Sequence, residues 1–286
     1  MGLPLNPVRL ASAPRAPRLL ALALFALAPW GAGAAPAAPE EATQPPVPVA
    51  PPASEESRHP ELEDAKAYFS APLHWDASDW TWVGVSVAAI GIAHHYDSQV
   101  RTHFVKTEGP NPSSSSYDLQ DAVPTLAVLG ATWLYAGLAD SSSGHREAWN
   151  MLEASTFSGL TTIVLRAAIG RERPNQTDDA NSWFSGSSSF PSLHSTSAFA
   201  VGTVLAESGN DDYRWLRRLL GYGLGIATSY ERMKHNQHWL SDTVAGGALG
   251  IASARFVMDR HEGAASGFAL LPVRGGAMLT YHLRLD

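Results

Sequence analysis

Three short stretches between residues 166 and 242 combine side chains that hold oxyanions with side chains that move protons. In RAAIGRERP, Arg166 and Arg173 lie seven residues apart, on one face two turns on if a helix runs through them. Two guanidiniums on one face suit an anion with several oxygens, because each presents a planar fork of N–H donors. The ordinary alternative is a cationic cap, since arginines at a helix C-terminus gain from the dipole. In PSLH, Pro191 suits the first position of a helix. Ser192 and the amides after it would then sit at a helix N-terminus, which favours a bound anion. His194 would point into the same space, although alone it reads as a solvated first-turn histidine.

The third stretch is YERMKHNQHWLSDTVAGGALG, residues 230–250. His238 and Asp242 are i and i+4, neighbours on one helical face. An aspartate beside a histidine fixes its tautomer and makes it more basic. Arg232 stands six residues upstream, at or outside the helix start. A surface His–Asp pair is the bland reading. Against it, the chain continues as TVAGGALGIASA, small and apolar enough to be buried.

These groups meet only if the segments carrying them pack side by side. Six apolar segments follow residue 60, at roughly 80–95, 122–139, 148–170, 191–207, 215–230 and 238–258. All exceed ordinary strand length and several are dominated by Ala, Leu and Gly, which predicts helices. The expected fold is all-α: a six-helix bundle with the site among its third, fourth and sixth helices. The tail differs. Leu279, Tyr281, Leu283 and Leu285 alternate with other residues, and glycines separate this run from GFALLP, which predicts a short C-terminal β-hairpin over 263–286.

At this point the chain resembles the phosphatidic acid phosphatase type 2 superfamily, which also contains bacterial acid phosphatases and vanadium haloperoxidases. Its motifs are Lys-x6-Arg-Pro, Pro-Ser-Gly-His and Ser-Arg-x5-His-x3-Asp. Arg166–Pro174, Pro191–His194 and Arg232–Asp242 match them in order and spacing. The resemblance implies a phosphatase that needs no metal or cofactor and acts on a phosphomonoester or lipid (pyro)phosphate through a phosphohistidine. It implies phosphate binding by Arg166, Arg173, Ser192, Leu193 and Arg232. It assigns nucleophilic attack to His238, proton donation to His194 and orientation of His238 to Asp242. Related chemistries stay open: transfer of phosphate or a phospho-headgroup to an alcohol, halide oxidation with bound vanadate, or a non-catalytic membrane protein keeping a degenerate phosphate site.

Three positions depart from the motifs. Arg166 replaces lysine, exchanging a point charge for a planar fork. Leu193 replaces the glycine that lets backbone N–H groups approach phosphate closely. Glu231 replaces serine and is expected to turn away or pair with Arg166, Arg171 or Lys234.

Composition narrows the partners. Of 286 residues, 45% are hydrophobic and 16% charged, a balance that suits much buried or lipid-facing surface. A net charge of −7 argues against nucleic-acid binding. With no cysteine, disulfides, thiolate metal sites and thiol nucleophiles are excluded. Arg9, Arg15 and Arg18, the apolar LLALALFALAPW and Ala32-Gly33-Ala34 form a signal-peptide pattern over 1–34. Residues 35–60, rich in Pro, Ala and Glu, read as a disordered linker ahead of a helical domain at 61–262. The expected location is the inner membrane with a periplasm-facing site, or the periplasm. The expected partners are a phosphorylated lipid or small phosphate ester and a membrane surface.

Overall fold

The computed structural model describes residues 60–108, 115–139, 141–209, 213–262, 267–273 and 276–282. The leader and most of the linker lie outside these. Seven α-helices occur among the described residues: α1 Pro60–Ser70, α2 Ala77–Glu108, α3 Ser115–Leu138, α4 Ser142–Ile169, α5 Leu193–Glu207, α6 Arg214–Lys234 and α7 Leu240–Glu262. A 3-10 turn, Ala71–Leu73, joins α1 to α2. Beyond α7, β1 Gly267–Val273 pairs antiparallel with β2 Gly276–His282, Gly267 standing opposite His282.

The count corrects the expected six helices. The additional one is α1, whose sequence PELEDAKAYFS is short and polar apart from one stripe. What holds it is tertiary. Tyr68 packs against Phe157 of α4 at 4.9 Å and edge-on to Phe256 of α7 at 5.3 Å. Its hydroxyl lies 2.7 Å from Ser253 Oγ. Asp64 pairs with Arg260, and with His261 Nε2 at 3.1 Å. Isolated helices of this length are marginal in water, so packing rather than propensity makes this one.

The core is built from Met151, Ala154 and Phe157 of α4, Ala200, Val201 and Val204 of α5, and Ala254, Val257 and Met258 of α7. Each large side chain among them contributes roughly 1.5–3 kcal/mol on burial. α5 is the central helix, packed against α4, α6 and α7. Its start lies against α7 at Gly246, where an added Cβ would fall 2.6 Å from the Ser192 carbonyl oxygen. This close approach brings the second and third motifs together.

The flanks of the bundle are unusually apolar. Val87 and Ile92 on α2, Val123 and Leu134 on α3, Ile163 and Val164 on α4, and Leu219 and Ile226 on α6 are all exposed. Yet no described helix is long and apolar enough to cross a membrane.

Candidate active site

α4 ends at Ile169, and Gly170 caps it in the left-handed region at φ 57°. A side chain is rarely tolerated there, and a Cβ would also meet Gly186 N at 2.9 Å. The helix therefore does not continue to Arg173. Arg166 belongs to the last turn and Arg173 to the loop beyond it. They converge on the site through a turn, not as a single helical face. Arg166 Nε donates to the Pro191 carbonyl at 2.8 Å, and Arg173 donates to Gln237 Oε1 at 2.7 Å.

α5 starts two residues later than expected. Ser192 is its N-cap and Leu193 its first residue, so Pro191 precedes the helix instead of opening it. Pro191 uses its carbonyl for Arg166, while the fully buried Ser192 hydroxyl accepts from Ser195 N and Oγ. Leu193 leans toward α4, close to Gly159. His194 Nε2 lies 2.9 Å from the Asp118 carbonyl of α3. A carbonyl only accepts, so Nε2 carries the hydrogen. Nδ1 is buried and has no protein partner. Burial, reinforced by Arg232, lowers the His194 pKa below the ordinary 6.5.

α6 ends at Lys234 and α7 begins at Leu240, so His238 lies in the intervening turn. The expected His238–Asp242 helical face is replaced by contact across a helix start. Asn236, at φ 51°, lies in this connection. Asp242, the third residue of α7, then reaches back to accept from Trp239 N at 2.9 Å, the return bond of a capping box. His238 Nδ1 faces Asp242 Oδ2 at 3.4 Å, and its Nε2 faces Arg166 Nη2 at 3.5 Å. A guanidinium only donates, which leaves Nε2 with its lone pair and puts the hydrogen on Nδ1. Burial comes first, followed by the charges of Arg232, Arg166 and Arg173, in holding His238 well below the ordinary histidine range. The same crowding pushes Arg166 down to about 10, through burial and then Arg173. The site is thus a neutral imidazole amid three guanidiniums.

Several contributors were not foreseen. Arg171, between the two motif arginines, binds no open space. It is fully buried, donates to Asp242 Oδ1 at 2.6 Å, Ser241 Oγ at 2.7 Å and Asp97 Oδ2 at 2.7 Å, and lies over the Trp183 ring at 4.2 Å. Ser189 donates to Asp242 Oδ2 at 2.5 Å. Burial nevertheless lifts the Asp242 carboxyl above 3.8, with Arg171 and Ser189 opposing the rise. Asp118 and Asp121 of α3 both face Arg232, at 2.9 and 3.0 Å. Their one signal in the sequence was DLQD, two acids at i,i+3 beside an apolar run. Glu231 turns to Lys234 at 3.5 Å and His235 at 3.6 Å.

Among the described residues, one His/Asp/Glu group has ligand atoms close enough for a metal: Asp64, Glu153 and His261. It sits about 28 Å along α7 from Asp242, given 1.5 Å per residue, and plays no part in this site.

The helical bundle gathers two histidines, three arginines and a carboxylate in one buried cluster, an arrangement with the charge and donors to hold an oxyanion. The PAP2 superfamily profile matches residues 147–264, the segment carrying all three motifs, and the superfamily resemblance holds there. The chain is similar to a lipid A 1-phosphatase of Porphyromonas gingivalis, 27% identical over 113 residues. That stretch is 38% of this chain and 23% of the relative, so the match covers about a quarter of the relative's length. A solved structure, a transmembrane PAP2 type phosphatidylglycerolphosphate phosphatase from Bacillus subtilis, aligns at 20% identity with a TM-score of 0.37. The alignment covers 71% of this chain and 96% of that one.

Proposed function

We propose that this protein is a phosphoric ester hydrolase acting on a lipid phosphate at a membrane surface. The observation that carries the reading is the fully buried His238 side chain, whose Nε2 faces Arg166 Nη2 at 3.5 Å and whose pKa burial and three arginines hold down. A nucleophile must be unprotonated, and three surrounding cations keep it so. The same cations match the charge of a phosphoryl group, which catalysis of phosphoryl transfer requires.

In the proposed sequence, His238 Nε2 attacks phosphorus and the P–O ester bond breaks. Protonated His194 gives its Nδ1 hydrogen to the departing oxygen, since Nε2–H is committed to Asp118. The Nδ1–H of His238 turns toward Asp242, which stabilises the phosphohistidine cation. Water then attacks phosphorus, the Nε2–P bond breaks and returns its electron pair to His238, His194 Nδ1 takes the proton of the water, and phosphate leaves. Arg166, Arg173 and Arg232 bind the phosphoryl oxygens. Ser192 holds the first turn of α5, whose leading amides lack intrahelical acceptors and suit an anion. Leu193 contributes through its backbone.

A lipid substrate is favoured by the exposed apolar residues on α2, α3, α4 and α6, which suit association with a bilayer. The test is phosphate release by the full chain from a lipid phosphate in vesicles and from a soluble aryl phosphate. The expected result is faster release from the lipid, abolished in His238→Ala and His194→Ala. Undiminished turnover by folded His238→Ala would overturn the mechanism. Transfer of labelled phosphate to an added alcohol in preference to water would replace hydrolysis with phosphotransfer.

A further inference from the structure

We infer that Asp118 is a displaceable anion that occupies the phosphate-binding face of Arg232 when substrate is absent. The inference rests on the reading of this site as a phosphate site. Arg232 has no exposed surface, and the His238 side chain has none either. A phosphate arriving from solvent cannot touch a fully buried guanidinium unless something moves. The two carboxylates on Arg232 differ in how easily they can do so.

Asp121 is a fixed partner. Its side chain is 3% exposed and its Oδ2 serves both Arg232 Nη1 at 3.0 Å and His235 Nδ1 at 3.2 Å. Tyr117 stacks on the same imidazole at 4.2 Å, closing that side. Asp118 is placed otherwise. Its side chain is 52% exposed, and its Oδ1 meets Arg232 Nη2 at 2.9 Å. Water already reaches it, so rotating away costs little desolvation. Its backbone carbonyl meanwhile accepts from His194 Nε2, so the same residue covers the proton donor. Its charge also raises the pKa values of Arg166, Arg173 and His194, against the lowering by burial.

The physical consequence is competition. A carboxylate on Arg232 Nη2 mimics one phosphoryl oxygen and screens the arginines from one another while the site is empty. An incoming phosphate carries about −1.5 to −2 charge and three strong acceptor oxygens, so it outcompetes one carboxylate for the same donors. Swinging the carboxylate into solvent opens Arg232 without moving the backbone carbonyl that orients His194. Asp121 stays, holding the guanidinium in place.

The experiment is calorimetric titration of inorganic phosphate into the full chain, comparing wild type with Asp118→Asn, Asp118→Ala, Asp121→Asn and Arg232→Ala. Removing a competing half-exposed anion should tighten phosphate binding about three- to tenfold in both Asp118 variants. Asp121→Asn should weaken it, because Arg232 loses its anchor. The opposite sign separates displacement from a general loss of acidic charge. Equal or weaker binding by folded Asp118 variants, with wild type binding phosphate through Arg232, would overturn the displacement alone. Wild-type binding that survives Arg232→Ala unchanged, or no wild-type binding at all, would overturn the phosphate-site reading and this inference with it.

Discussion

Arg171 Nη1 lies 2.6 Å from Asp242 Oδ1 in a contact where neither side chain has any exposed surface. The same guanidinium also reaches Asp97 Oδ2 at 2.7 Å and the Ala180 carbonyl at 2.6 Å, with Trp183 and Trp239 over its faces. It ties α2, the loop after α4 and the start of α7 into one unit. Asp242 in turn faces the His238 imidazole at 3.4 Å, so fold and candidate site share a single buried charge network.

Arg171→Ala should therefore destabilise the protein strongly. It strands two buried carboxylates, and breaking a buried pair by removing one partner costs about 3–5 kcal/mol. Arg171→Lys should rescue only part of this, because one ammonium cannot reproduce a planar fork serving two carboxylates and a carbonyl. Chemical denaturation of both variants gives the comparison. A loss below about 1 kcal/mol in the alanine variant, the scale of a surface pair, would contradict the assigned role.

Asp242→Asn should spare the fold more than Arg171→Ala does and reduce turnover sharply. In the proposed mechanism the amide could not stabilise a phosphorylated His238 cation, and it can present N–H toward Nδ1–H, favouring the wrong tautomer. A fall of roughly 10²–10⁴-fold in kcat is expected, the range of a positioned acid–base contribution. Rates measured beside a denaturation curve separate chemistry from unfolding, and a fully active variant would remove Asp242 from the mechanism.

The pH profile should be acid-shifted. His194 must be protonated to act as the acid, and its folded pKa is lowered below 6.5 by burial and Arg232. The active fraction is thus lost as pH rises through that lowered value. His238 must be neutral, and its pKa is depressed further, so protonation removes activity only at still lower pH. Because kcat/KM reports the free enzyme, its descending limb should fall below 6.5. A kcat/KM that climbs steadily between about pH 5 and 8 would exclude His194 as the acid.

How much of this was legible in the sequence depended on locality. The long apolar runs marked α2 to α7, because length and composition alone separate them from strands. The helix α1 was hidden because its docking depends on Tyr68 meeting Phe157, Phe256 and Ser253, contacts that no local pattern encodes. Gly170 and Asn236 were visible as residues suited to left-handed backbone, yet the readings through Arg166–Arg173 and His238–Asp242 ran helices across or up to them. Asp97, Asp118 and Asp121 escaped because an acid on an apolar helix gains meaning only from the arginine that the fold brings opposite. Motif spacing grouped these residues, and the geometry between motifs came from turns.

Leu193 supplies the last test, since it stands where the superfamily motif has glycine. Its side chain leans on α4 near Gly159, and it is the first residue of α5. Its contribution should therefore be packing, with the backbone facing the anion. Leu193→Gly would remove part of that apolar burial and loosen the helix start, for a combined loss of about 1–2 kcal/mol. Turnover should stay within about threefold of wild type, a barrier change under 1 kcal/mol. If kcat instead rose or fell by more than about 30-fold, a change of roughly 2 kcal/mol, the leucine side chain itself would be acting on the phosphoryl group. Paired measurements of Tm and kcat on the full chain distinguish the two, because the packing role moves the first and leaves the second nearly still.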